Sequence, residues 1–380
     1  MRLLLVLLSI ALSLAGGTAQ QRPVQGLSNP EQIAPGIHFY QLNEASYFGP
    51  GAPISARLLE IGPKAARLDL ELGTGGSQGR DTVPAMAQRR GAIAAVNAGF
   101  FAPTGDPAGI FKIDGLLVSD TARPRGAVGF ARPDGPPLLF DRVTARASVR
   151  AGRARVAAAV DTARRAGAVV IYTLRYGSTT RTAGAGTEWT VEGRPLRITA
   201  IRRQDAASPA ASPIPASGFV ISASGVIPPA LARLKTRDRV DIRFDYATAL
   251  GTSPTAWARA DDIVGGAGLL LWRGRDVRDW AAERLDMKGF VDARHPRTLI
   301  GRDRDGDTWV AVIDGRQPAH SVGMSLPELT ELSRRIGLVD ALNLDGGGSS
   351  TMVVKGSVVN RPSDPTGPRP VSDAIVVLNR

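Results

Sequence analysis

Near the end of the chain the sequence runs Asn343-Leu344-Asp345-Gly346-Gly347-Gly348-Ser349-Ser350-Thr351. Three successive glycines can adopt φ > 0 and bring the backbone close to a ligand. Amides in such a turn form an anion-binding nest, and Ser349, Ser350 and Thr351 add hydroxyl donors. Asp345, ahead of the glycines, is placed to act as acid, base or nucleophile. The plain alternative is a structural turn in which Asp345 bonds its own backbone. The segment is not a P-loop, because no Gly-Lys-Ser/Thr follows, and the Gly-x-Ser-x-Gly spacing of a nucleophile elbow is missing.

A second run, Asn97-Ala98-Gly99-Phe100-Phe101, also follows an apolar stretch. If the two stretches are neighbouring strands of one sheet, Asn97 and Asp345 line one cleft at the strand ends, where ligands bind in open sheets. Phe100 and Phe101 read as core or cleft wall. Arg297-Thr298 opens another apolar stretch, and Asp314-Gly315-Arg316 closes one. An arginine fork facing turn amides suits a phosphate, because it binds two oxygens. Taken singly, each of these arginines reads more simply as solvated surface. Asp303, Asp305 and Asp307 around Gly306 imitate a calcium loop, but Asp314 stands where its final glutamate belongs, so a hairpin turn explains them better. His38, His295 and His320 are too far apart for a zinc motif, and the absence of cysteine excludes disulfides and thiolate chemistry.

These residues need elements to hold them. Met1-Arg2, the apolar run Leu3–Leu14 and the small residues Gly17 and Ala19 describe a secretory leader over 1–19, cleaved to leave Gln20 first. The run is short of the roughly 20 residues that span a bilayer. The expected mature protein is exported, secreted or periplasmic, with no integral membrane span. Residues 20–79 read as a proline-bearing linker and the strand-like stretches Ile37–Leu42, Ile54–Ile61 and Ala66–Leu72. A helix is predicted from Thr82, with Pro84 in its first turn, to Gly91, followed by a strand over Ala92–Val96. The middle, about 110–260, is strand-rich, with turns at Asp114-Gly115, Asp134-Gly135 and Glu192-Gly193 and an Ala/Ser/Pro-rich loop over 205–217. Toward the end, Ser325 and Glu328 make a capping box, and Leu329, Leu332 and Ile336 form one apolar helical face. Gly337 closes that helix, and Val339–Leu344 is a buried strand. The expected fold is mixed α/β (α+β): a mixed sheet with flanking helices, a strand-rich middle and a small β-rich N-terminal part.

The formal charge of +12 first suggests a nucleic-acid partner. Of 47 basic residues only five are lysine, which leaves 42 arginines, and they are dispersed among Asp and Glu with no basic block. A nucleic-acid tail or basic helix would be clustered, so no nucleic-acid partner is expected.

Taken together the motifs resemble the phosphodiester glycosidases, a family that includes the enzyme uncovering mannose 6-phosphate and bacterial exopolysaccharide-related proteins. The resemblance covers roughly 80–380. It rests on Ala94–Phe101, Val264–Leu270, His295-Pro296-Arg297-Thr298, Ile313-Asp314-Gly315-Arg316 and Asn343–Ser350, with Asn360-Arg361-Pro362 and Arg369 trailing. It implies an exported hydrolase that breaks the bond between a sugar anomeric carbon and a phosphodiester oxygen, with a carbohydrate phosphodiester as substrate. A phosphate monoester leaves readily, so the reaction asks mainly for charge stabilisation on the phosphate and a carboxylate near the oxocarbenium-like carbon. The implied catalytic residues are Asp345 or Asp314, with Asn97 orienting the sugar. Arg297, Thr298, Arg316, Gly346, Gly347, Gly348, Ser349, Ser350, Gly265 and Gly266 are the implied substrate and phosphate contacts. No metal ligand or certain cofactor is assigned; a divalent cation, calcium or magnesium, is left open. Ala98 departs from the family's usual glycine, which implies strain or a narrowed pocket if that position needs φ > 0. Two other readings compete: a non-catalytic envelope protein that binds anionic polysaccharide, and an ordinary glycosidase.

Overall fold

Residues 24, 26–130, 138–205 and 211–380 are described by a computed structural model of the chain. The expected leader, the Asp134-Gly135 turn and part of the 205–217 loop lie outside them. The architecture corrects the expectation of a mixed α/β fold with flanking helices. Strands hold 44% of the described residues and helices 10%. The strands of the middle pair antiparallel, apart from the parallel pair Ala154–Val160 with Val169–Tyr172, and so pack with few helices.

Three sheets carry the chain. An eight-stranded sheet runs in the order Glu31–Ala34, Ile37–Glu44, Ile54–Ile61, Thr308–Ile313, Arg297–Asp303, Leu338–Asn343, Leu269–Trp272, Arg275–Asp276. The N-terminal strands thus hydrogen-bond directly to strands from the last third of the chain. A five-stranded sheet is ordered Ser357–Val358, Met352–Val354, Ala94–Asn97, Asp373–Leu378, Arg67–Leu72. The eleven-stranded sheet takes the middle of the chain, and Leu139–Ala151 is its longest strand. Asp303, Asp305 and Asp307 do sit at a hairpin turn, between the antiparallel strands Arg297–Asp303 and Thr308–Ile313.

One core joins all three sheets: Leu59 and Ile300 from the first, Val96 and Ile375 from the second, Val128 and Val264 from the third. The opposite face of the eight-stranded sheet, with Leu58 and Leu299, packs under the helix Leu326–Arg335 through Leu326, Leu329 and Leu332. That sheet is buried on both faces, which is why Ile54–Ile61 and Arg297–Asp303 read as near-continuous apolar runs. The helix begins with the capping box of Ser325 and Glu328 and carries Arg334 and Arg335 in its last turn. The shorter helix Val83–Arg90 starts at Thr82, whose side chain accepts from Ala85 N–H, and ends at Gly91 with φ 59°.

Behind the sheets Glu283 is fully buried. Its carboxylate accepts from the amides of Gly126, Gly268 and Leu269 and from Nε of Arg142. Removing one partner of a buried charge pair costs about 3–5 kcal/mol, because the other is left uncompensated. Glu283→Ala should therefore lower the unfolding free energy by about that much, and Glu283→Gln by less, since an amide oxygen still accepts. Urea titration of both variants checks this.

Candidate active site

The helix Leu326–Arg335 feeds the strand Leu338–Asn343, and the chain then turns through Gly346–Gly348 as one turn of 3-10 helix over Gly347–Ser349. Gly347 has φ 62°, and a Cβ there would stand 3.1 Å from the Arg316 guanidinium. Both the backbone angle and the close arginine call for glycine at this position.

The two strands expected to be neighbours lie in different sheets: Ala94–Asn97 in the five-stranded, Leu338–Asn343 in the eight-stranded. Their ends nevertheless meet. Asn97, with no exposed surface, donates from Nδ2 to the Asp345 carbonyl at 2.7 Å. Its Oδ1 accepts from Thr298 Oγ1 at 2.8 Å and from the Thr351 amide at 3.1 Å. Asp345 N–H donates to Ala98 carbonyl oxygen at 2.9 Å. Asn97 and Thr298 are therefore buried clamps on the turn. Ala98 is fully buried and is not among the residues of positive φ, so its methyl sits in the core without backbone strain.

The expected nest of free amides is mostly absent. Gly346 N–H donates to Asp345 Oδ1 and Gly347 N–H to the Pro296 carbonyl. Ser349 and Ser350 close the 3-10 turn onto the carbonyls of Gly346 and Gly347. The hydroxyls of Ser349, Ser350 and Thr351 belong to side chains that are almost wholly buried. Anion attraction therefore falls to side chains around the turn.

Three carboxylates stand near it in different states. Asp345 keeps part of its surface exposed. Burial pushes its carboxyl up to about 6, hydrogen bonds from Ser349 and Gly346 pull it back, Asp373 pushes it further and Arg369 lowers it. Asp373 has no exposed surface and accepts from Gly99 N–H at 2.6 Å and from the Ser372 hydroxyl. Burial holds it at about 6 against those two hydrogen bonds. Asp314 is buried with both oxygens engaged: Oδ1 accepts from Asn360 Nδ2 and Arg361 N–H, Oδ2 from His320 Nε2 at 2.8 Å. It anchors the segment Val359–Pro362, which Arg57 also holds through the Val359 carbonyl and Gln317 through the carbonyls of Arg361 and Pro362. That segment leads to Asp364 and Arg369, a bidentate pair covering Gly348.

The cations are layered. Arg297 is buried, with Nε on the Met324 carbonyl and Nη2 on the carbonyls of Phe290 and Ala293. Burial and then the neighbouring Arg316 lower it to about 10. Among the described residues no carboxylate lies within 4.0 Å of either Arg297 or Arg316, and Arg316 is exposed beside Gly347. His295 Nε2 bonds the Gly289 carbonyl at 2.8 Å, so Nε2 carries the proton and Nδ1 faces Arg316 Nη2 at 3.3 Å. Phe100 and Phe290, both part exposed, stand with ring centres 6.1 Å apart as a wall.

Gly265 and Gly266 lie in the interior. A Cβ on Gly266 would stand 2.4 Å from the Asn343 carbonyl, and one on Gly265 3.1 Å from that of Ile110. They let sheets pack closely behind the turn. Glu60, Asp303 and Asp307 group their oxygens within 4.8 Å, but at the opposite end of strand Arg297–Asp303 from the turn. There Asp303 already accepts from the amides of Asp305 and Asp307 and from Trp309 Nε1. Sequence reasoning missed Asp373, whose only signal is a charge opening the apolar run Ala374–Leu378, and the cover formed by Asp364 with Arg369.

A part-exposed carboxylate thus stands at one end of a glycine turn, with an exposed arginine beside the turn, in a β protein of three sheets. A family model for phosphodiester glycosidases matches residues 185–378, just over half of the chain, and the chain belongs to that family. Mouse N-acetylglucosamine-1-phosphodiester alpha-N-acetylglucosaminidase is 37% identical over 86 residues, 23% of this chain and 16% of the mouse protein. The match therefore spans only a small part of that relative's length. Two solved structures share the fold at 24% identity. One, from Synechocystis, has a TM-score of 0.77 over 93% of this chain and 64% of its own. The other, from Burkholderia pseudomallei, has a TM-score of 0.73 over 87% of this chain and 75% of its own.

The raised carboxyls give a pH signature. A carboxyl whose folded value lies above its unfolded value of about 3.9 stabilises most below that value and loses the contribution as pH rises through the folded value. Asp373, at about 6, should therefore lose stabilisation between about pH 4 and pH 6, on the order of 3 kcal/mol. Unfolding titrations across that window should show stability falling less steeply in Asp373→Asn than in the parent.

Proposed function

We propose that the protein hydrolyses glycosyl phosphodiesters, breaking the C1–O bond of a sugar-1-phosphodiester at Asp345. The observation that supports this reading is a part-exposed carboxylate at one end of the glycine turn with Arg316, which has no acidic partner among the described residues, beside Gly347 of the same turn. Asp314 and Asp373 are buried, and Asp364 is held by Arg369, so Asp345 is the carboxylate suited to face the anomeric carbon. Arg316, oriented by His295 Nδ1, then faces the phosphate, and Arg297 supplies positive charge from behind. In the reaction the electron pair of the C1–O bond leaves with the phosphate, and water supplies the hydroxyl at C1. Asn97 and Thr298 keep the turn in register, and Asp314 holds its cover, rather than touching the sugar.

Asp345 works in this scheme as an anion, whether it attacks C1 or activates water. Turnover should accordingly rise as pH increases through about 6, and Asp373→Asn should move that limb to lower pH by removing a like charge. Asp345→Asn should cut kcat on an N-acetylglucosamine-1-phosphodiester by at least about 100-fold. Arg316→Ala should raise KM about tenfold with a smaller change in kcat. The measurement is release of free sugar, with a nitrophenyl glycoside lacking phosphate as control. Equal cleavage of the control would make the protein an ordinary glycosidase, and binding of the diester without release would make it a polysaccharide-binding protein.

A further inference from the structure

A second cationic surface lies on the eleven-stranded sheet. The strand Leu139–Ala151 is flanked by Ala154–Val160 and Val240–Thr248. Its inward residues Val143, Ala145, Ala147 and Val149 are buried in the core, while Arg146 and Arg150 point out and are exposed. Residues directly opposite each other across paired strands share a face. The register sets Arg150 opposite both Arg155 and Asp241, and Ser148 opposite Arg243. Arg197 stands opposite Arg239 at the end of the same surface.

Like charges placed directly opposite destabilise a sheet, and here two arginine–arginine pairs, Arg150 with Arg155 and Arg197 with Arg239, adjoin. The acids of this face do not neutralise it. Asp245 pairs with Arg155 and Asp241 with Arg239, whereas the described residues place no carboxylate within 4.0 Å of Arg146, Arg150 or Arg243. Arg150, Arg239 and Arg243, with Gly152 and Asp241, line a concavity of about 370 Å³, the lower size range of ligand sites. Arg150 spends Nε on the Gly152 carbonyl, which leaves its Nη groups and the Arg243 guanidinium to meet the paired oxygens of phosphate groups.

We propose that this concavity binds the phosphate groups of a phosphodiester-linked polymer and so acts as a docking site for polymeric substrate, a step that rests on the hydrolase reading above. Arg142 on the same strand touches Glu283, which caps the segment behind the glycine turn. Arg150 lies eight residues further along, about 27 Å at strand rise. A short diester reaches only one of the two sites, whereas a chain of several units reaches both, and the second contact then becomes intramolecular.

The test uses the full chain and a poly(glycerol phosphate) oligomer, a phosphodiester polymer with no anomeric carbon, so that binding is read without turnover. The parent should bind it, more weakly as salt rises from about 50 to 200 mM, and should ignore neutral dextran. Arg150→Ala with Arg243→Ala should weaken binding at least about tenfold, while Arg150→Lys with Arg243→Lys, which keeps the charge, should lose less. Turnover of a small N-acetylglucosamine-1-phosphodiester should stay within about twofold in both double variants, since neither residue is near Asp345. Equal binding by the parent and the alanine variant overturns the proposal, as does loss of binding in Arg316→Ala alone. Absence of turnover in the parent, with the binding difference intact, would overturn the hydrolase reading and leave the anion site standing.

Discussion

The site depends on one buried carboxamide. Asn97 terminates a strand of the five-stranded sheet, yet its three hydrogen bonds all reach across to the glycine turn and to the eight-stranded sheet. A buried amide with this many partners fixes position more tightly than apolar packing, because any shift leaves polar groups unsatisfied. The turn is held by its flanks, which explains how three consecutive glycines, each floppy in isolation, present one geometry.

That rigidity lets the electrostatics work. Arg297 is a buried cation facing carbonyls, and Arg316 is a second cation beside it, without an acidic partner among the described residues. Two such charges repel, and an anionic ligand relieves the repulsion. Asp345 and Asp373 show the converse: burial holds both carboxyls near the point where they change charge. A frame that tolerates uncompensated charge of both signs within one small region is unusual for pure scaffold, and fits a place where charge moves.

Much of the local structure could be read from residue order. The Thr82 and Gly91 boundaries, the Ser325–Glu328 capping box and the strand Ile54–Ile61 follow from short-range chemistry that acts the same in any fold. The glycine turn with Asp345 was legible for the same reason. What residue order hides is which strands pair. The helices were over-weighted because short apolar strands and buried helix segments share composition, and pairing alone separates them. The buried hydrogen-bond partners of Asn97 and Asp314 were not legible, because polar residues at strand ends look alike until their partners are known; Asp314 meets Asn360 and Arg361 only through folding. Asp373 escaped notice because nothing near it in the chain hints that Gly99 waits 274 positions away.

The segment from Val359 to Arg369 is riveted at its start by Arg57, Asp314 and Gln317, and further along Asp364 and Arg369 pair with each other above Gly348. The stretch from Asp364 to Arg369 is thus closed on itself by a single ion pair, so the shape it holds over Gly348 stands or falls with one bidentate contact and not with the many bonds that anchor the segment's start.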